Sequence, residues 1–268
     1  LNDNQRALFW RFIMAILRAT SKSGNIYGTP QADVIYGVGT TGSLHGYGGD
    51  DEIYGSSVQD YIVGGDGNDK LFGGNGADRL MGGNGDDIID VETNNSSFKE
   101  LAFGDAGNDL LYFRGDSNGY DGGAGIDWLL TSGSHPNLSL SGTYSKNIEN
   151  ARGHEGNNVL SGDGLANWIE GLGGNDTLSG GDGNDTLDGG EGSNTIDGGA
   201  GSDTITVTSS VGANSIVGGA DNDTITGGGG NDTISGGDGF DILGYGGTPI
   251  GGVLVNLALG TASDGDGG

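Results

Sequence analysis

The chain repeats itself every nine residues, three times without a break from Gly64 to Asp90: GGDGNDKLF, GGNGADRLM and GGNGDDIID. Glycine holds the first, second and fourth places, aspartate the sixth, and an aliphatic residue the eighth. A unit this short buries no core alone, so its apolar residue must stack on the same residue of its neighbours, and a fixed period of this kind specifies a solenoid. Counted in nines from Gly28, the eighth places are Ile35, Leu44, Ile53, Ile62, Leu71, Leu80 and Ile89. After four extra residues, Val91 to Asn94, the register resumes through Leu111, Tyr120 and Leu129. It returns at Gly153 with Leu160, Ile169, Leu178, Leu187, Ile196 and Ile205. Past a two-residue insertion, Val207 and Thr208, it continues with Ile216, Ile225, Ile234 and Leu243.

Such a chain has little else to hold it together. With 62 glycines in 268 residues and one aliphatic side chain per nine on the core register, composition alone points to disorder. There are 37 acidic residues against 10 basic ones, a formal charge of −27, and no Lys or Arg follows Arg152. Self-repulsion of this size opposes a compact state unless a counter-charge is bound, and it excludes nucleic acid and anionic membrane as partners of the repeats. Cysteine is absent, which removes disulfides and thiolate metal sites. No stretch approaches the length of a membrane span, and the start lacks the pattern of a secretory signal.

The turn residues supply the missing stabiliser. A short strand around the eighth place points that side chain inward and its neighbours outward. The GGxGxD segment before it reverses the chain, and glycine permits the positive φ values by which carbonyl oxygens turn toward a common centre. Calcium takes six to eight oxygen ligands and mixes carboxylates with backbone carbonyls. One such turn offers about half a shell, and two stacked turns complete it.

The array resembles the RTX, or haemolysin-type, calcium-binding repeat of secreted bacterial proteins. Eight copies keep all four motif positions, beginning at Gly64, Gly73, Gly82, Gly122, Gly180, Gly198, Gly227 and Gly236. The resemblance implies an all-β fold, a right-handed parallel β-roll in which two nonapeptides make one coil and calcium lies between turns stacked on the same edge. It implies, residue by residue, that the metal ligands are the side chains of Asp33, Asp51, Asp60, Asp69, Asp78, Asp87, Asp109, Asp127, Asp176, Asp185, Asn194, Asp203, Asp223, Asp232 and Asp241. The turn backbone joins them at Gly65, Gly67, Gly74, Gly76, Gly83, Gly85, Gly107, Gly123 and Gly125 in the first half. In the second half it does so at Gly181, Gly183, Gly190, Gly192, Gly199, Gly201, Gly219, Gly228, Gly230, Gly237 and Gly239. Ligand counting gives on the order of ten ions. Further implications are export through type I secretion machinery, folding outside the cell, and no catalysis. An adhesin or surface-layer segment, with self-association, and an accessory domain of a carbohydrate-active or hydrolytic enzyme are the alternatives.

Alternate frames become neighbours in that architecture, which sorts the sixth places into edges. In the first half one edge carries Asp33, Asp51, Asp69, Asp87, Asp109 and Asp127, and the other Gly42, Asp60, Asp78, Glu100 and Asn118. In the second half one edge carries Asn167, Asp185, Asp203, Asp223 and Asp241, and the other Asn158, Asp176, Asn194, Asn214 and Asp232. The aspartate-rich edges are expected to bind calcium more strongly. Frame 28 (GTPQAD) and frame 55 (GSSVQD) each lack two glycines, frame 37 lacks the aspartate, and Asp221 replaces a fourth-place glycine; these turns are expected to be weak.

Three domains are expected: residues 1–22, a first roll at 23–152 and a second, truncated roll at 153–268, the two stacked or in tandem. The parallel stretches around Leu138–Leu140 and Leu257–Leu259 read as strands that close each roll, and the chain reads as a window cut from a longer protein. Leu8, Phe9, Phe12, Ile13, Ile16 and Leu17 fall at helical spacing, so an amphipathic helix from about Gln5 to Ala19 is expected to cap the solenoid or end an upstream domain. Arg6, Arg11 and Arg18 make this helix the one segment suited to touching a membrane. The scattered His45, His135 and His154 read as surface or turn residues, and the pairs Asp50–Asp51 and Asp86–Asp87 follow from the period rather than from catalysis. Thr177, Thr186, Thr195, Thr204, Thr224 and Thr233 form an outward seventh-place ladder, for which strand preference is sufficient reason.

Overall fold

A computed structural model describes residues 15–18, 24–39, 42–92, 99–114, 119–133, 135–142, 145–208, 211–244 and 254–256. The expected helix over 5–14, Thr40 and Thr41, Asn118, and Leu257 and Leu259 lie outside these residues. The described chain forms two compact units, one of residues 1–128 and 143–148, the other of 129–142 and 149–268.

Each unit is an all-β parallel solenoid. In the first, one wall runs through Ala15–Arg18, Asp33–Tyr36, Glu52–Ser56, Lys70–Gly74, Ile88–Asp90 and Leu110–Tyr112. Its second wall runs through Ile26–Tyr27, Ser43–Gly48, Tyr61–Asp66, Arg79–Asn84, Leu101–Ala106, Gly119–Ala124 and Ser145–Lys146. The second unit has one wall through Asn150–Arg152, Trp168–Glu170, Thr186–Asp188, Thr204–Thr206, Thr224–Thr226 and Ile242–Gly244. Its other wall runs through Asn137–Ser139, Val159–Ser161, Thr177–Asp182, Thr195–Ala200, Ser215–Ala220, Thr233–Asp238 and Leu254–Asn256.

The register follows from the period. Two frames complete one coil, so Ile35, Ile53, Leu71, Ile89 and Leu111 stand side by side on one wall, and Leu44, Ile62, Leu80, Ala102 and Tyr120 on the other. The second unit repeats this with Ala151, Ile169, Leu187, Ile205, Ile225 and Leu243, and with Leu138, Leu160, Leu178, Ile196, Ile216 and Ile234. Every one of these side chains is buried. Each Leu or Ile contributes roughly 1.5–3 kcal/mol. The ladders make up most of the buried apolar core of the described residues, joined by Val91, Phe113, Leu129, Leu140, Ile148 and Val207. Flanking residues alternate outward, as the pleat demands.

Two expectations are corrected. Ala15–Arg18 is a strand, not helix: it pairs parallel with Asp33–Tyr36 and sets Leu17 beside Ile35. Counting back in nines from Gly28 places Leu17 and Ile26 on the eighth-place register, so the solenoid begins a coil earlier than expected. The Arg18 guanidinium lies over the Tyr36 ring, 4.9 Å from its centroid, an additional tie that favours the strand. Among the described residues no helix occurs, hence none long and apolar enough to cross a membrane. The strands also differ between walls. On one wall several continue for six residues into the first three places of the next frame, as in Thr177–Asp182, whereas the facing strands of the second unit stop after three. The stretch containing Leu138 starts a wall of the second unit, pairing with Val159–Ser161.

Candidate metal centres at the turns

The turn backbone is the first element of the site. Every glycine named above as a turn ligand has positive φ. At Gly83, φ is 120° and a Cβ would overlap the carbonyl oxygen of Gly65 in the preceding coil, so both conformation and contact require glycine. The conformation is imposed even where glycine is missing: Tyr47, Asp105 and Leu172 at second places and Asp221 at a fourth place also adopt positive φ.

The sixth-place side chains are the second element. All fifteen aspartates and asparagine named above are buried. Along the first unit's edge, the N–H groups of Asp33, Asp51, Asp69 and Asp87 donate to the Oδ1 atoms of Asp51, Asp69, Asp87 and Asp109, each at 2.7 Å. The N–H of Asp109 donates likewise to Asp127 at 2.8 Å, and that of Asp60 to Asp78 at 2.8 Å. In the second unit the N–H groups of Asn167, Asp185, Asp203 and Asp223 donate to Asp185, Asp203, Asp223 and Asp241. The facing edge runs Asn158, Asp176, Asn194, Asn214 and Asp232 in the same way. These ladders follow the edges into which the frames were sorted.

A further ladder was not expected. The fifth-place residue accepts, on its side chain, an N–H from the fifth place of the next coil: Asp50 from Asn68, Asn68 from Asp86, Asp86 from Asn108, and Asn175 from Ser193. The signal lay in the sequence as Asn or Asp before the sixth-place residue at Asp50, Asn68, Asp86, Asn108, Asn157, Asn175, Asn184, Asn222 and Asn231. Its role is to stitch coils, and it leaves the sixth-place Oδ2 untouched.

That second oxygen defines the site. The Oδ2 atoms of Asp51, Asp69, Asp78, Asp87 and Asp109, and of Asp176, Asp185, Asp203, Asp223, Asp232 and Asp241, are buried without a hydrogen-bond partner. In the regular turns each sits against the first-place glycine: a Cβ at Gly64 would overlap Asp69 Oδ2 and lie 2.6 Å from the Gly82 carbonyl oxygen. Two electron-rich oxygens thus converge with no proton between them. An uncompensated buried carboxylate is costly, so such a place takes either a proton or a cation.

The proton affinities carry the same message. Burial raises Asp51, Asp78 and Asp109 to about 7 and Asp87 and Glu100 to about 8, from ordinary values near 4. It raises Asp69, Asp185, Asp203 and Asp223 to about 6. Neighbouring carboxylates along the ladder add to most of these shifts, while the accepted backbone hydrogen bond opposes the shift in the aspartates. Among the described residues no three His, Cys, Asp or Glu side chains converge on one point. A cation here must therefore take much of its shell from carbonyl oxygens, which suits calcium and suits neither zinc nor copper.

His154 lies in a turn of the second unit, its N–H donating to the sixth-place Asn158 Oδ1 at 3.3 Å. His45 stacks on Tyr27 at 5.3 Å, and His154 accepts the Gly156 N–H on Nδ1 at 2.9 Å.

The model of the RTX calcium-binding nonapeptide repeat, in four copies, matches residues 27–61, 54–89, 148–178, 170–205 and 208–243, more than half of the chain. No curated protein matches it.

Proposed function

The chain belongs to the RTX calcium-binding nonapeptide repeat family, and from that premise we propose that it is a non-catalytic module of a secreted protein that folds when it binds calcium. The observation that carries this reading is the row of buried Oδ2 atoms that no group among the described residues satisfies. Calcium supplies the missing positive charge. The chain supplies the carboxylate oxygens of Asp69, Asp87, Asp203 and their equivalents, together with turn carbonyls such as that of Gly82.

Binding and folding are then one event. The aliphatic ladder is too thin to overcome the repulsion of 37 acidic residues by itself, and the turns close only when their oxygens have a shared partner. On the order of ten ions are expected across the two units, each of which folds as a roll on its own ions. Family members are typically secreted, and a chain that stays unfolded at low calcium suits passage through type I secretion machinery.

A calcium titration of metal-stripped protein followed by far-UV circular dichroism tests the reading. The expected result is a cooperative gain of β-structure with calcium that magnesium does not reproduce, because magnesium demands a tighter, more hydrated octahedron. Full β-structure in chelator would sink it.

A further inference from the structure

The sixth-place turns are not all alike, and the difference lies in what faces the inward oxygen. In the regular turns nothing does. In five turns the chain itself provides the donor; at Asn167 it is the Asp163 N–H, given to Oδ1 at 2.9 Å. Thr29 points its N–H and its hydroxyl at Asp33 Oδ2, at 2.6 and 3.0 Å. Ser56 does the same to Asp60 Oδ2, at 2.6 and 2.8 Å. Thr29 and Ser56 are the second places of frames 28 and 55, each of which lacks two glycines, so a hydroxyl side chain stands where the regular turn has open backbone.

The other two turns use an amide. Asn214 accepts the Asn194 N–H on Oδ1 at 2.8 Å, as an aspartate would. A backbone N–H only donates, which fixes the amide with Nδ2 in the position of the lone carboxylate oxygen. Nδ2 then donates to Asp232 Oδ1 at 2.9 Å and reaches the Gly227 carbonyl at 3.5 Å. Asn158 is fixed by other donors: its Oδ1 accepts the Thr131 hydroxyl at 3.2 Å and the His154 N–H at 3.3 Å. Its Nδ2 donates to the His154 carbonyl at 2.9 Å, to Asp176 Oδ1 at 3.2 Å and to the Gly171 carbonyl at 3.5 Å. Gly171 and Gly227 are first-place glycines of the following coil, the same kind of carbonyl that faces an unsatisfied Oδ2 elsewhere.

We infer that these donors are built-in substitutes for the cation, and that the turns at Asp33, Asp60, Asn158, Asn167 and Asn214 close without calcium. A hydroxyl and N–H neutralise the inward oxygen at the first two, and an N–H meets it at Asn167. At Asn158 and Asn214, the amide removes one negative charge and bonds the carbonyl that an ion would hold. The inference rests on the calcium reading and deepens it: the ion count is set by the aspartates whose inward oxygen lacks a donor. The five substituted turns are fixed staples between ion-dependent ones.

Native mass spectrometry of the full chain at saturating calcium tests this by counting ions. Asn214→Asp changes one buried atom from donor to acceptor and is expected to bind one more ion than the parent. Ser56→Gly, in the other unit, removes the hydroxyl and restores a double glycine; it is expected to gain one ion independently, should the first variant fail to fold. Asp203→Asn serves as the control and is expected to lose one. If the parent binds calcium and the control loses an ion while neither gain appears, the inference falls and the calcium reading stands. If the parent binds none, the calcium reading falls and takes the inference with it.

Discussion

The two units share an interior and differ outside. Both carry an eighth-place ladder, positive-φ turns and sixth-place hydrogen bonds. On the outer faces the first unit stacks Tyr36, Tyr54 and Phe72 at 5.0 and 4.9 Å and lays Arg79 over Phe103, whereas the second presents Thr186, Thr204 and Thr224. Basic residues follow the same split. Arg114 pairs with Asp90 in the first unit, and Arg152 with Glu170 at 2.5 Å in the second, after which no Lys or Arg remains. Much of the second unit thus has no basic side chain of its own to offset its carboxylates. What the comparison teaches is that the inside of the coil is fixed by the stacking requirement, while the outside is free to vary.

Calcium removal is the strongest way to break this likeness. Both units carry unsatisfied Oδ2 rows, so chelation is expected to speed backbone hydrogen exchange in both by orders of magnitude. Mass-resolved exchange that left one unit protected would show that its turns close by another means. Next in size is the turn backbone. Gly83→Ala and Gly199→Ala each place a Cβ against a carbonyl of the preceding coil at φ of 120° and 110°. Each is expected to cost about 1–3 kcal/mol or more in calcium-saturated urea melts, and equally in the two units. A clear inequality would mean that the turns differ after all.

Acidity sharpens the contrast between units. In metal-free protein the buried carboxyls have folded-state values above their ordinary ones, so the stability gained by protonation is complete below about 4 and is lost as pH rises through the folded-state values. That loss extends to about 8 in the first unit, through Asp87 and Glu100, but only to about 6 at Asp185, Asp203 and Asp223. In chelator, lowering pH from 8 to 5 is expected to restore strand signal, with the first unit responding over the wider range; tryptophan and exchange probes in each unit read this. A metal-free form that gains order on raising pH would contradict the burial argument. The smallest effect is on the outer faces. Tyr54→Ala is expected to cost about 0.5–1.5 kcal/mol beyond the area it buries, and Thr204→Val to stay within about 0.5 kcal/mol, by the same melts.

Much of this was legible in the sequence, because a solenoid turns chain distance into spatial distance. Ile53 beside Leu71 and Asp69 beside Asp87 follow from adding 18 to a residue number. The first coil was missed because Leu17 satisfies a helical spacing with its neighbours as well as the eighth-place register, and pattern alone does not choose between them. The fifth-place ladder was missed because Asn and Asp there look like ordinary turn residues until the coils are stacked. The hydroxyl and amide donors escaped notice for a different reason: Asn for Asp reads as a weakened ligand, and only geometry shows the nitrogen facing inward.

The sixth-place bond has a direction in time as well as in space. The N–H of Asp69 waits for the carboxylate of Asp87, 18 residues later, and the N–H of Asp86 finds the Asn68 side chain only when that same coil arrives. A chain delivered from its N-terminus can therefore finish no turn until the next coil has emerged, a stretch of up to roughly 60 Å when extended. The solenoid grows as a zipper that always runs one coil behind its own supply.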